Sequence, residues 1–301
     1  MRNALNFQFP NQIARRLKIK SSMLQNALHN MTDLYCHQER DIDGKVRDIY
    51  MPYPPLKTVQ RKLHLTLRKI PFPAEFIGGM PKHSIFDNAR RHVGRNFVLN
   101  LDLKNFYPSI KPSQVESVFL RLGCNKGMSR LLTYLTTADG HLPQGFPTST
   151  MLSALVLVPL ADDLRALLQP KFVFSFWVDD LTISGESDPT PLIPAVRKLC
   201  RKHGFRLKEE KKHLGVRGKV PQEVTGIIIS GKDFSPANGF LPHTKNMLRA
   251  LNKEGWEYLN TIERWGCTSK REVTSRLKGR IRFIGQFDKS RAEKLYDSLN
   301  M

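Results

Sequence analysis

The chain is poor in cysteine and poor in acid. Its four cysteines (Cys36, Cys124, Cys200 and Cys267) are scattered and form no C-x-x-C pair. That spacing excludes a zinc-ribbon framework and a secreted disulfide scaffold, and the adjacent Cys36-His37 supplies only half a coordination shell. No apolar run approaches the ~20 residues of a membrane span. The opening MRNALNFQFPNQ lacks the charged-then-apolar order of a signal peptide, so the expectation is a cytoplasmic protein with no membrane partner. Internal repeats, low-complexity tracts and Gly/Ser linkers are missing too, and the chain reads as compact throughout.

Acid is outnumbered: 27 Asp and Glu against 48 Lys and Arg give a formal charge of +21 over 301 residues. Such an excess goes beyond what solubility needs and suits a polyanion, nucleic acid foremost. The 40% apolar content is enough for a real core in one large or two associated domains. Charge names a class of partner, however, and leaves the reaction open.

Periodicity supplies the organisation. Leu24, Leu28, Met31 and Leu34 share a helical face after Ser21-Ser22, as do Leu56, Val59, Leu63, Leu67 and Ile70 after Pro54-Pro55. Between them Lys45–Tyr50 alternates and predicts a short strand that turns Arg47 outward. Phe97–Asp102 is an apolar run ending in a carboxylate, the pattern of a buried strand. Ser113–Glu116 has capping-box spacing ahead of Val118, Phe119 and Leu122, and a long helix is expected over Thr148–Leu168 with a disturbance at Pro159.

Phe172, Phe174 and Phe176, then Leu181 and Ile183, predict two strands with Val178-Asp179-Asp180 at their junction. A helix over Leu192–His203 and short strands near Phe205–Leu207 and Val224–Ser230 follow. From Gly231 onward Leu248, Leu251, Trp256, Leu259 and Ile262 mark a basic helical tail. The fold class expected is α+β, with residues 1–230 as one unit and 231–301 as a small helical one.

Should the strand ending at Asp102 lie beside the Asp179-Asp180 hairpin, the three carboxylates would converge. Such a cluster persists at neutral pH only by protonating or by binding cations. Magnesium prefers oxygen ligands, and two ions about 4 Å apart can activate a hydroxyl and stabilise a pyrophosphate leaving group. An Asp-Asp pair by itself is commonly a solvated turn or helix face, as Asp162-Asp163 is expected to be. What sets Asp179-Asp180 apart is the aromatic and apolar strands around it, where uncompensated charge is costly.

Three segments then resemble the reverse transcriptases, most closely the bacterial retron type: FVLNLDLKNFYPSI (97–110), LPQGFPTS (142–149) and Trp177-Val178-Asp179-Asp180 followed by Leu-Thr-Ile-Ser. Asn88-Ala89-Arg90-Arg91-His92 resembles the N-A-x-x-H segment of retron enzymes, and Val224-Thr225-Gly226 their V-T-G segment. The resemblance implies a right-hand polymerase, with fingers and a palm of antiparallel sheet and packed helices over 1–230 and a helical thumb over 231–301. It implies that Asp102, Asp179 and Asp180, with the carbonyl of Leu103, bind Mg2+, or Mn2+ in its place. Tyr107 would be a steric gate against ribonucleotides. Arg47, Gln144, Gly145 and Lys211 would contact the incoming deoxynucleoside triphosphate. Asn88, Ala89, His92, Val224, Thr225 and Gly226 would meet RNA.

The partners implied are a structured non-coding RNA serving as template and primer, its DNA product, and an effector protein encoded nearby in antiphage defence. Two departures stand out: Trp177 where the family usually has Tyr, and Lys208 and Lys212 around Lys211 where it often has Asn and Thr. Two rivals remain: a different defence-associated reverse transcriptase making repetitive or untemplated DNA, and a non-catalytic RNA-binding scaffold.

Overall fold

A computed structural model describes residues 4–42, 44–210 and 212–299. It opens with α1 (Pro10–Leu17) and α2 (Ser21–His29), whose buried Ile13, Leu17 and Leu24 join the main core. The helix predicted through Leu34 stops at His29, and Met31–Leu34 instead forms one 3-10 turn. A hairpin of β1 (Tyr35–Ile42) and β2 (Lys45–Pro52) follows, then α3 (Leu56–Leu67), which buries Leu56, Val59, Leu63 and Leu67 as their spacing requires. The short α4 (Ile85–Arg90) starts from a reciprocal cap, in which Ser84 and Asp87 bond each other's backbone N–H.

The central layer contains β3 (Phe97–Asp102), α5 (Phe106–Ser109), α6 (Pro112–Arg121), α7 (Lys126–Tyr134), α8 (Ser149–Leu168), β4 (Phe172–Trp177), β5 (Asp180–Gly185), α9 (Ile193–Lys202) and β6 (His213–Val216). Its sheet has the order β4-β5-β3-β6, antiparallel throughout. The α6 cap lies two residues before the predicted one, because Pro112 takes the first helical position and Gln114 accepts from the N–H of Lys111. α8 runs on through Pro159 and buries most of its length in the core. The strand expected at Phe205–Leu207 is reduced to a single bridge between Leu103 and Leu207. Asp162 and Asp163 pair with Arg165, Lys202 and His203, the structural role expected of them.

A second, three-stranded sheet is made of β7 (Gln222–Val224), β8 (Ile227–Ser230) and β9 (Asp233–Pro236). It packs with α4 over one face of β3, around Ala89, Val98, Val224, Ile227 and Ile229. Helical structure therefore begins at Phe240, later than Gly231, and a division at 230/231 would cut between two strands of this sheet. The tail comprises α10 (Phe240–Ile262, broken at Gly255 with φ 90°), α11 (Lys270–Gly285) and α12 (Lys289–Leu299). Its separate core holds Leu248, Leu259, Val273, Leu277 and Ile281, while Ile262 stays 49% exposed. Among the described residues no helix is long and apolar enough to cross a membrane.

Phe174, fully buried on β4, tests whether the central sheet anchors the fold. Phe174→Ala should lower the unfolding free energy by about 3–5 kcal/mol, read from urea unfolding curves.

Candidate active site

Strand register builds the acidic centre. Asp102 is the direct partner of Asp180 across β3 and β5, so both side chains leave the same face of the sheet. Trp177 pairs with Asp180 across β4 and β5, leaving Val178-Asp179 as a two-residue loop. The N–H of Leu103 donates to the Asp179 carbonyl (3.1 Å), tying the loop to the end of β3. Asp102 is only 4% exposed, and Lys208 brings its ammonium to 2.5 Å of Asp102 Oδ2. Among the described residues no three His, Cys, Asp or Glu side chains are grouped to hold a metal ion. Asp102 and Asp180 are brought together, and Asp179 is beside them in the chain. Their all-oxygen donor chemistry suits a hard divalent cation such as magnesium or manganese.

The loop is held from behind. Val178 has φ 58°, a left-handed conformation that is an outlier for a β-branched side chain. Gly78 lies against it: a Cβ there would come within 2.5 Å of Val178 N and 2.7 Å of Trp177 Cα. Ile77 and Gly78 both donate N–H to the Phe176 carbonyl (3.0 and 3.2 Å), Phe176 donates to Glu75 O (2.7 Å), and Phe76 stacks on Phe176. Glu75 is itself gripped by Arg165 at 2.9 Å. Burial, the largest single influence, would raise the Glu75 carboxyl, but the Arg165 bond, a backbone hydrogen bond and the charges of Arg165 and Arg91 together outweigh it and hold the group below its usual range. Gly78 is a site residue that the sequence did not disclose, since Gly78-Gly79 carries no chemistry of its own.

A cleft of about 650 Å3 runs from these acids to the β7–β8 turn, lined by Asn100, Asp102, Trp177, Asp180, Thr182, Lys212, Thr225 and Gly226 among others. Thr225 (φ 49°) and Gly226 (φ 79°) form the two-residue hairpin loop, and two left-handed residues in succession are what a type I′ turn demands. Asn100 donates to the Glu223 carbonyl (2.7 Å) and accepts from the Thr182 hydroxyl (3.0 Å), fixing the hairpin against the central sheet.

Four of the residues expected to meet RNA have buried side chains. Val224 is fully buried in the small core, and so are Asn88, Ala89 and His92. Ser175 donates to Asn88 Oδ1 (2.7 Å), so the Ser175 oxygen accepts from His92 Nε2–H (2.8 Å), and His92 Nδ1 accepts from the Ser184 hydroxyl (2.7 Å). His92 is thus a neutral linker among β4, β5 and α4. Burial, followed by the charges of Arg91 and Arg95, pushes its pKa down to about 3. Asn88 Nδ2 reaches the Thr225 hydroxyl at 3.5 Å, so the two segments, distant in sequence, meet here.

Of the remaining candidates, Arg47 lies on the β1–β2 hairpin and Gln144 and Gly145 lie against it. Tyr107 is half-buried. Its phenol is raised chiefly by burial; the Thr150 hydroxyl opposes this and the Asp179 charge adds to it. Arg47 is exposed on β2 directly opposite Arg40, and two like charges at facing positions favour a shared anion. The carbonyl of Gln144 accepts from Tyr50 N–H (2.8 Å), while a side chain on Gly145 (φ 111°) would strike the Tyr50 carbonyl. Glycine is therefore required there by the hairpin, a cause different from the close nucleotide approach expected. Asp139 accepts from both Tyr35 (3.3 Å) and Tyr50 (2.8 Å), clamping the hairpin to the loop that precedes Gln144. Burial first, then the Asp139 carboxylate, raises both phenols and keeps them protonated donors. Lys211 lies outside the described residues.

Residues 38–260 match the family model described as reverse transcriptase (RNA-dependent DNA polymerase), a stretch that takes in every element of the acidic centre and its cleft. The chain belongs to the reverse transcriptase family. Curated relatives include the retron Ec86 reverse transcriptase of Escherichia coli, 34% identical over 51% of this chain and 49% of that protein. The retron Mx65 reverse transcriptase of Myxococcus xanthus is 33% identical over 62% of this chain and 49% of its own length. The retron Mx162 enzyme of the same species is 29% identical over 81% and 58%. The chain thus spans about half the length of the curated relatives it matches. A telomerase of Candida albicans, solved with a fragment of telomeric RNA, shares the fold with a TM-score of 0.50 at 11% identity, covering 88% of this chain and 62% of that one.

In this reverse transcriptase fold, the neutral state of His92 has a measurable signature. An unfolded histidine titrates near 6.5 and the folded one near 3, so between those values only the unfolded chain takes up the proton. The His92 contribution to stability is complete above about pH 6.5 and is lost as the pH falls toward 3. His92→Gln should flatten the wild-type decline in unfolding free energy across that window, and equal slopes in the two proteins would exclude His92 as its source.

Proposed function

We propose that this chain is a retron-type RNA-directed DNA polymerase that copies a cognate structured RNA into single-stranded, RNA-linked DNA in the cytoplasm. The pairing of Asp102 with Asp180 on the cleft that also reaches Thr225 and Gly226 carries the reading. Asp102, Asp179 and Asp180, with the Leu103 carbonyl, would hold magnesium or manganese, which when bound activates the primer hydroxyl and stabilises the leaving pyrophosphate. Arg47, Gln144, Gly145 and Lys211 orient the triphosphate, and a guanidinium fork at Arg47 gives both charge and direction. Tyr107 presents a flat ring that a 2′-hydroxyl would strike, so deoxynucleotides are selected. Thr225 and Gly226 form a side-chain-poor floor beside the acids along which template or primer backbone runs. The helical tail grips duplex through phosphates. An effector protein encoded nearby, acting in antiphage defence, completes the proposed system.

Two experiments bear on this. Asp179→Asn with Asp180→Asn should abolish primer extension while RNA affinity stays within about twofold, because the phosphate contacts lie elsewhere. Extension at the wild-type rate would reject Asp179 and Asp180 as the catalytic acids. Asp139→Ala removes two hydrogen bonds to a charged acceptor, each of about 1.5–3 kcal/mol. Loosening the hairpin that carries Arg47 should raise the KM for deoxynucleotide by roughly tenfold or more while kcat changes far less. A fall confined to kcat would reject the clamp.

A further inference from the structure

A second concentration of positive charge lies in parts of the chain that the catalytic cleft does not use. No Asp or Glu occurs before Asp33, and none between Asp48 and Glu75, so α1 and α3 carry Lys and Arg with no acid among them, and α2 between them is uncharged apart from His29. A recess of about 690 Å3 opens between the N-terminal segment, α1 and the end of α3. Arg15, Arg16, Lys18 and Lys69 surround it, Gln12 adds an amide, the Thr66 hydroxyl donates to the Lys62 carbonyl (3.1 Å), and no carboxylate lines it. It shares no lining residue with the cleft at Asp102 and Asp180.

The recess is fixed in shape. Leu5 and Asn6 donate their N–H groups to the Leu122 carbonyl (3.0 and 3.2 Å), and Asn125 bonds Phe7 O (3.0 Å) and Gln8 O (2.8 Å), pinning the N-terminal segment to the end of α6. Lys18 ends α1 in a left-handed conformation (φ 54°), with its N–H closed on the Arg15 carbonyl. Arg15 and Arg16 stand on α1, Lys18 closes that helix and Lys69 follows α3, so four exposed cations border one recess, and a polyanion there relieves their mutual repulsion. Outside the recess, at the opposite end of α1 from Lys18, Phe9 is 63% exposed and offers a ring on which a base could stack.

We infer that this recess is a second RNA-backbone site, holding a stretch of the bound RNA that is not being copied. The inference rests on RNA being the partner, as proposed above. Clustered cations, an amide donor and an exposed aromatic on the same helix suit the phosphates, 2′-hydroxyls and unstacked bases of RNA. An acidic polypeptide would not use the ring in the same way.

The test compares the wild type with Arg15→Ala/Arg16→Ala/Lys18→Ala/Lys69→Ala on two probes. One is a labelled stem-loop RNA with single-stranded arms that extend beyond the cleft; the other is poly(rA) primed with oligo(dT). For the stem-loop RNA, the slope of log affinity against log salt should become shallower by roughly two to three, with affinity lower by about tenfold or more at moderate salt. Oligo(dT) extension should keep its wild-type kcat. Arg15→Lys with Arg16→Lys should bind like wild type, and Phe9→Ala should weaken binding without altering the slope. An unchanged slope overturns the inference, as does an equal loss on both probes, which would put the four cations in the template path. Lost binding to polyglutamate with RNA affinity intact would also overturn it and assign the recess to a protein. A wild type that binds the stem-loop RNA through these residues but never extends oligo(dT) would sink the polymerase reading alone.

Discussion

Two carboxylates facing each other on adjacent strands repel, and hydrogen-bonded register leaves them no freedom to part. Asp102 and Asp180 are in this position, and the surrounding structure serves to keep them there. β3 is flanked on both sides, Leu103 ties the Asp179 carbonyl, and the 75–78 segment braces the loop from the edge of β4. Val178 costs about 1–3 kcal/mol in its left-handed conformation. That cost is tolerable because Gly78 admits the loop backbone at a distance no side chain would permit. Positive charge has to answer such a pair, and the Lys208 ammonium already lies against one of the two acids.

The face of β3 that bears Asp102 changes character along its length. Val98 lies in the small apolar core, Asn100 bonds the β7 backbone, and Asp102 opens on the cleft. One strand thus secures the hairpin at one end and presents acid at the other. The segment around Asn88 and His92 strengthens this join: it holds Ser175 and Ser184 of the catalytic sheet and reaches Thr225 of the hairpin. Its importance is architectural, since a histidine with both nitrogens bonded in a dry interior has nothing left to offer RNA.

Much of this was legible in the residues. The strand bearing Asp102, the aromatic strand before Asp179 and the helix through Pro159 follow from burial patterns that leave little choice. Other features depend on tertiary partners. β9 is only four residues long with alternating polarity, too weak to read without β8 beside it. Asn88, Ala89, His92 and Val224 were matched as a string of letters, and a string does not reveal which side chains face water. Gly145 was expected at the nucleotide from its place in the matched loop; that it makes room for the Tyr50 carbonyl is visible only in the fold.

The place of β3 in the sheet also has a consequence for synthesis. Its two neighbours, β5 and β6, lie far downstream, so the strand leaves the ribosome long before either can pair with it. Until residue 185 is free the nascent chain has its basic helices but no paired acids. Because those helices share one core with the central sheet, they too wait for β5, and any chaperoning of this protein must shield an unpaired strand and the apolar helix faces during that interval.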